Sequence, residues 1–207
     1  MRQSQQQQSV LTVANLREYF HDALQGALVH RNVAVEDQTE HYVVNLLTLY
    51  ARSENLFEPT HAGIGIKPLV KMLSDALEAP TATERERGLQ RLGDVSLFIA
   101  GFFAHSFARK LIDVDYHIAM GGRAYCTLAQ GLAHGRKQVL STVFAELADK
   151  FLPLVEALWE IADASRQYTQ ADILRLYEIW LKTGSPRARG LLRQLGLEAT
   201  PVTLAQN

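Results

Sequence analysis

Residues 138–161 read QVLSTVFAELADKFLPLVEALWEI, and the apolar spacing of this stretch decides the fold class. Leu140, Val143, Phe144, Leu147, Phe151, Leu154, Val155, Leu158 and Ile161 recur three or four positions apart. That period marks one face of an α-helix, not the alternation of a strand. Pro153 stands inside the run. It removes a backbone donor and crowds the preceding turn, so one long helix kinked near Pro153 is expected.

The same spacing continues in both directions. Val13, Leu16, Phe20, Leu24, Ala27 and Leu28 form one stripe, and Val43, Leu46, Leu47 and Tyr50 form another on a helix starting near Val35. Pro68 suits the first position of a short helix through Leu77, and Pro80 blocks its continuation. Thr83-Glu84-Arg85-Glu86 has the form of a capping box. Gly93-Asp94 reads as a stop and a fresh N-cap, opening a helix over 95–110, although Val95 to Ile99 alone also fits a strand. Asp115 is placed to cap a helix reaching about Ala133, and Gly135 separates it from the quoted stretch. Beyond, Thr169 with Asp172 opens a helix through Leu181, and Gly184-Ser185-Pro186 precedes a last short helix to Leu195. No pair of alternating runs flanks a hairpin turn. The expectation is an all-α, single-domain bundle of about eight or nine helices over residues 10–199. A disordered Gln-rich lead-in (1–9) and a flexible tail (200–207) flank it.

Composition narrows the function classes. The chain has 207 residues, 47% of them apolar and 21% charged, which is ordinary for a folded domain. Its 21 Lys and Arg balance 22 Asp and Glu, so net charge gives no argument for nucleic acid or an anionic membrane. The single thiol, Cys126, forms no disulfide within the chain, as in a reducing compartment. The opening MRQSQQQQ lacks the apolar core of a secretory signal, and Val95 to Phe107 is too short to span a bilayer. The expected location is cytoplasmic.

Several short stretches carry a resemblance. They are Gly93-Asp94, Arg109-Lys110-Leu111, Asp113-Val114-Asp115-Tyr116, Met120-Gly121-Gly122 and Ala124-Tyr125, then Leu174-Arg175-Leu176-Tyr177, Trp180 and Thr183-Gly184-Ser185. Over roughly the last half, the chain resembles uncharacterised bacterial all-helical proteins of about 200 residues. The resemblance implies no activity and supplies no catalytic residues.

The densest polar cluster lies between His105 and Tyr125. His105, Arg109, Asp113, Asp115, Tyr116, His117 and Arg123 stand among Phe102, Phe103, Phe107, Ile112, Val114 and Ile118. Charged groups amid apolar surface must pair or reach water. The cluster is therefore either a network pinning two helices or a site for a ligand or partner, with Arg109 expected to pair with Asp113 or Asp115.

The other motifs point less far. Seven histidines are present, but neither HExxH nor paired Glu-x-x-His occurs in a helical context, so no metal or other cofactor is expected. Gly63 to Pro68 is a glycine-rich turn that could offer N–H groups and Lys67 to an anion, and it reads first as an interhelical loop. The basic hairpin near Arg175, Arg187, Arg189 and Arg193 has few side chains suited to reading bases. Cys126 lies in an apolar helical context that disfavours the thiolate.

These observations favour a non-catalytic helical binding or regulatory module acting through a protein partner or a second copy of itself. The broad apolar coverage of Tyr42 to Tyr50 and of Ile173 to Leu181 suggests assembly. One alternative is a small-molecule or metal-dependent enzyme centred on the His105–His117 cluster. The other is a DNA-binding regulator using the C-terminal hairpin.

Overall fold

The computed structural model describes residues 13–60, 63–103, 114–134 and 137–164, together with 177, 180, 189, 190, 192 and 193. The described chain is mostly helical. Helix α1 (Val13–His30) ends in a turn where Asn32 takes a φ of 55°. The Val33 N–H donates to Leu28 O and the Asn32 N–H to Val29 O, which satisfies two carbonyls left open by the helix end. Helix α2 (Asp37–Tyr50) then runs back along α1.

A four-residue α3 (Ser53–Leu56) leads to a small antiparallel hairpin, β1 (Glu58–Thr60) with β2 (Gly63–Gly65), paired Glu58 to Gly65 and Thr60 to Gly63. No hairpin was expected, and this segment was read as a loop. Strands of three residues are too short to display alternation, and β2 is largely glycine. Gly63 adopts a φ of 113°, a region that side chains rarely enter. Helix α4 (Leu69–Leu77) begins directly after Pro68, as expected.

Helix α5 (Ala82–Phe102) is the hub, packing against α2, α4, α6 (Val114–Leu132) and α8 (Phe151–Ala164). Its N-cap is Thr81, whose hydroxyl oxygen accepts from the Glu84 N–H at 3.2 Å. The capping box therefore lies two residues before the expected Thr83–Glu86. Gly93-Asp94 neither ends a helix nor starts one, because the helix passes straight through. Gly93 is there for space: a Cβ would lie 2.4 Å from Tyr125 Cε1, in a ring that is itself fully buried. At the same crossing, a Cβ on Gly121 would meet Phe151 Cζ at 2.3 Å and Ser96 Cβ at 2.6 Å. Glycine in a helix interior lowers stability by about 1 kcal/mol relative to alanine. Here close approach of α5 and α6 offsets that loss by letting aromatic rings fill the seam.

The stretch 138–161 is not one kinked helix. It is two helices, α7 (Gln138–Asp149) and α8, broken at Lys150. Pro153 then falls in the first turn of α8, where no intrahelical donor is required. The break serves Pro153 better than a kink. Leu154 N–H still finds Lys150 O at 2.9 Å, and Phe151, Leu154, Val155 and Leu158 turn into the core.

The apolar breadth of α2 is accounted for within the chain. Val43, Val44, Leu46, Leu47 and Tyr50 are buried, and α1, α3, α5 and α7 all pack against this helix. Leu49 alone among its large apolar side chains is exposed. The corresponding expectation for Ile173 to Leu181 lies mostly outside the described residues, as does part of the expected helix count. Where one domain over 10–199 was expected, backbone contacts divide the chain into two compact units, Met1–Ala164 and Ser165–Asn207. In the second, Trp180 and Leu192 are buried and the rings of Tyr177 and Trp180 lie 5.6 Å apart.

Gly93→Ala should lower stability through overpacking by about 1–3 kcal/mol, read as a lower urea midpoint. Gly131→Ala, where a Cβ would meet nothing within 4 Å, should raise stability by about 0.5–1 kcal/mol. Equal effects at the two positions would refute the close-approach account.

Candidate functional site

The expected polar cluster is described only in part. His105, Arg109 and Asp113 lie outside the described residues, and with them the expected Arg109 pairing. Asp115, Tyr116, His117 and Arg123 all stand on α6, but not on one face. Asp115, Tyr116 and Arg123 are exposed, whereas His117 is buried along the line of Gly121, Ala124 and Tyr125. Burial holds the His117 imidazole below its ordinary pKa. The rings of Tyr116 and His117 nevertheless meet edge-on, with centroids 6.0 Å apart.

A different polar cluster joins α2, α5 and α6 at the edge of the core, where Asp94, Tyr42, Gln90 and Arg91 are half-buried and Tyr50 and Tyr125 buried. Asp94, on α5, accepts hydrogen bonds at one oxygen, Oδ1, from Tyr42 of α2 at 2.6 Å and from Tyr125 of α6 at 2.7 Å. Gln90, one turn earlier on α5, donates to the Tyr42 hydroxyl at 2.9 Å. Arg91 donates to the Tyr50 hydroxyl at 2.6 Å and to Leu56 O at 3.3 Å. Aromatic rings surround the group: Tyr125 stacks on Phe144 at 5.6 Å, and Tyr42 meets the same Phe144 edge-on at 5.4 Å.

Burial pushes the Asp94 carboxyl up to about 6, with the tyrosine hydroxyls and Arg91 pulling it back only in part. Burial, reinforced by the neighbouring carboxylate, also raises Tyr42 and Tyr125 far above the ordinary tyrosine range. Both hydroxyls therefore stay protonated and act as donors. Sequence reading missed this cluster by taking Asp94 for a helix cap. The available signal was a carboxylate within an apolar run, together with inward-facing tyrosines whose hydroxyls need partners.

Outside the core, α2 and α7 lie antiparallel along an open groove. At one end, about 720 Å³ of space is lined by Glu36, Asp37, Thr39, Glu146, Asp149 and Lys150, among others. At the other, about 410 Å³ is lined by His41, Tyr42, Asn45, Val139 and Leu140. Asp37, Gln38 and Val143 belong to both. Glu146 crosses the groove and serves as a cap in trans. Glu36 caps α2 with no side-chain hydrogen bond, and the Glu146 carboxylate instead accepts from the Glu36 N–H at 3.1 Å and from the Thr39 hydroxyl. Lys150 donates to Glu146 at 2.7 Å and to Ala34 O at 2.7 Å. Burial would raise the Glu146 carboxyl, but these hydrogen bonds outweigh it and hold the group below its ordinary value.

No family model, curated protein or solved structure matches the chain. The site must be read from its own geometry.

Three further features bear on chemistry. Lys67, expected as an anion ligand beside the glycine-rich turn, is engaged by Asp75 at 2.6 Å. Among the described residues, no three His, Cys, Asp or Glu side chains are grouped to hold a metal ion, and no helix is long and apolar enough to cross a membrane. Cys126 is exposed on α6 rather than buried as its sequence context suggested.

The two carboxylates predict opposite pH dependences. Asp94 binds its proton more tightly in the folded state, so its contribution to stability is fully present below 3.8 and is lost as pH rises through about 6. At ~1.4 kcal/mol per pH unit, that interval corresponds to roughly 3 kcal/mol. Glu146 behaves inversely: its contribution is present above 4.5 and is lost as pH falls through its lowered folded value. The stability of wild type relative to Asp94→Asn should therefore decline between pH 4 and 6.5, as read by urea unfolding (window from about 6). A difference independent of pH would refute the buried-carboxylate account.

Proposed function

We propose that the chain is a non-catalytic helical binding module that takes a segment of a protein partner in the α2–α7 groove. The observation that carries this reading is the character of the groove walls. Val139 and Leu140 are 60% and 43% exposed on α7, beside acidic groups at the start of α2. The carboxylates of Glu36, Asp37 and Asp149 have no hydrogen-bond or ion-pair partner among the described residues, while Lys150 is taken by Glu146. Apolar side chains facing water next to uncompensated negative charge suit a helical segment carrying Leu or Ile on one side and Lys or Arg along its edge.

The enzymatic reading has less support. The tyrosine-bound Asp94 oxygen faces the core, and in the His105–Arg123 cluster the rings of Tyr116 and His117 meet while Asp115 and Arg123 are exposed. Assembly with a second copy loses part of its motive, because α2 spends its apolar surface inside the chain. The DNA-binding reading depends on a hairpin that lies mostly outside the described residues, although Arg189 and Arg193 there are exposed.

A synthetic Leu/Lys amphipathic helical peptide should perturb the amide resonances of Gln38, Asn45, Val139 and Leu140 on titration. Leu140→Glu and Asp37→Lys should each weaken binding about tenfold, a loss of about 1.4 kcal/mol, with helical content unchanged. Affinity should also fall with added salt. Perturbations mapping to another face, or variants without effect, would reject the groove.

A further inference from the structure

The groove between α2 and α7 has two unlike ends. We infer that this asymmetry sets the direction of the segment it takes. That segment is a helix lying parallel to α2, with Lys or Arg in its first turn over Glu36, Asp37 and Asp149. Its Leu or Ile side chains follow two turns later, against Val139 and Leu140. The inference rests on the groove being a docking site, and goes beyond it by fixing the order of the partner's residues and the sense in which they lie.

The charges place the basic group. Glu36, Asp37, Glu146 and Asp149 line one end, and the only cation in that lining, Lys150, is already engaged by Glu146. Glu36, Asp37 and Asp149 are all exposed. At the other end the lining holds one carboxylate, Asp37 at the junction, and beyond it stand His41, Tyr42, Asn45, Val139 and Leu140. Lys137, just before α7, is engaged by Glu86 at 2.6 Å. A cationic side chain therefore gains far more at the Asp149 end than at the Val139 end. Asp37 and Asn45 stand about 12 Å apart along α2, at ~1.5 Å of rise per residue. A helix spanning both ends then carries its basic and apolar groups about seven positions apart, two turns along one face.

Charge alone admits either chain direction, Lys before Leu or Leu before Lys. The helix ends decide between them. α7 runs from the apolar end of the groove to the acidic end, so its electropositive N-terminus stands beside Val139 and its electronegative C-terminus beside Asp149. The N-cap of α7, Lys137, makes no capping hydrogen bond with its side chain. α2 points the opposite way, but its N-terminus is covered by the Glu146 carboxylate, which accepts from the Glu36 N–H. The field that remains favours a partner whose own N-terminus meets the carboxylates and whose C-terminus meets the start of α7. Such a partner lies antiparallel to α7.

The test compares two synthetic Ala-based helical peptides of one composition, acetylated and amidated. One has Lys in its first turn and Leu two turns later, and the other is the same sequence reversed. Each is made with a nitroxide amino acid at its first or at its last position, and broadening of the protein's amide resonances is read by NMR. For the Lys-first peptide, the N-terminal label should broaden Asp149 more than Val139, and the C-terminal label should do the opposite. The reversed peptide should lie the other way round and bind about fivefold more weakly, the contribution of the helix ends. Asp37→Asn with Asp149→Asn should weaken the Lys-first peptide about tenfold with helical content unchanged. If that double variant does not fold, Asp149→Asn alone carries the comparison.

One label broadening Asp149 and Val139 to the same degree overturns the direction and leaves the docking site standing. So does a Lys-first peptide whose C-terminal label lies at Asp149, and so does equal affinity for the two peptides. Amide changes that map to another face for both peptides, or the absence of any change, remove the docking site and the direction with it.

Discussion

Everything in the described helical body is arranged around the approach of α5 to α6 at Gly93 and Tyr125. The missing side chain lets a buried tyrosine ring lie flat against helix backbone, and the ring carries its hydroxyl to Asp94, the next residue on α5. Close packing and the polar network are thus one feature. If the helices were moved apart by the width of a methyl group, Tyr125 would lose both its seat and its acceptor. Gly121 and Ser96 continue the seam, and Phe151 closes it from α8. Ser96 Oγ is buried there with no hydrogen-bond partner among the described residues, a cost accepted where only a small side chain fits.

Two carboxylates govern α2 from opposite sides, and their environments set them apart. Asp94 lies among rings and receives only neutral donors, so desolvation dominates and its proton is held. Glu146 lies near the surface and receives a backbone N–H, a hydroxyl and an ammonium, so its charge is held instead. The Arg31–Glu156 and His30–Glu160 pairs, between α1 and α8, are far more exposed and contribute little to stability in comparison.

Much of the helical layout was legible from residue spacing. The stripes of α1 and α2 and the inward residues of α7 and α8 stand where periodicity placed them, Leu140 excepted, because burial of a helix face needs only local repetition. Errors gathered at single residues whose local chemistry has two uses. Gly93-Asp94 has the composition of a helix boundary, yet Gly93 answers to a ring 32 positions away in sequence (Tyr125 against Gly93). Pro153 was read as kinking one long helix, whereas the chain breaks at Lys150 and seats the proline in the first turn of α8. The candidate cluster drew attention because its charges are dense in sequence. On α6, however, adjacent residues point about 100° apart, so Asp115 and Tyr116 face solvent and His117 turns inward, the rings of Tyr116 and His117 still meeting at 6.0 Å.

The sequence by itself determined that this chain is mostly helical, where α4 and α6 begin and end, and which faces are apolar. Those properties depend on spacing within a turn or two and on proline and glycine chemistry. The tertiary structure alone decided that Asp94 is an acceptor for two tyrosines, that Glu146 caps the helix beginning at Glu36, 110 positions earlier in the chain, and that α2 and α7 leave a groove between them. Each of these joins residues with no local relation, and a carboxylate's protonation state is set by the neighbours that folding brings to it rather than by those beside it in the chain.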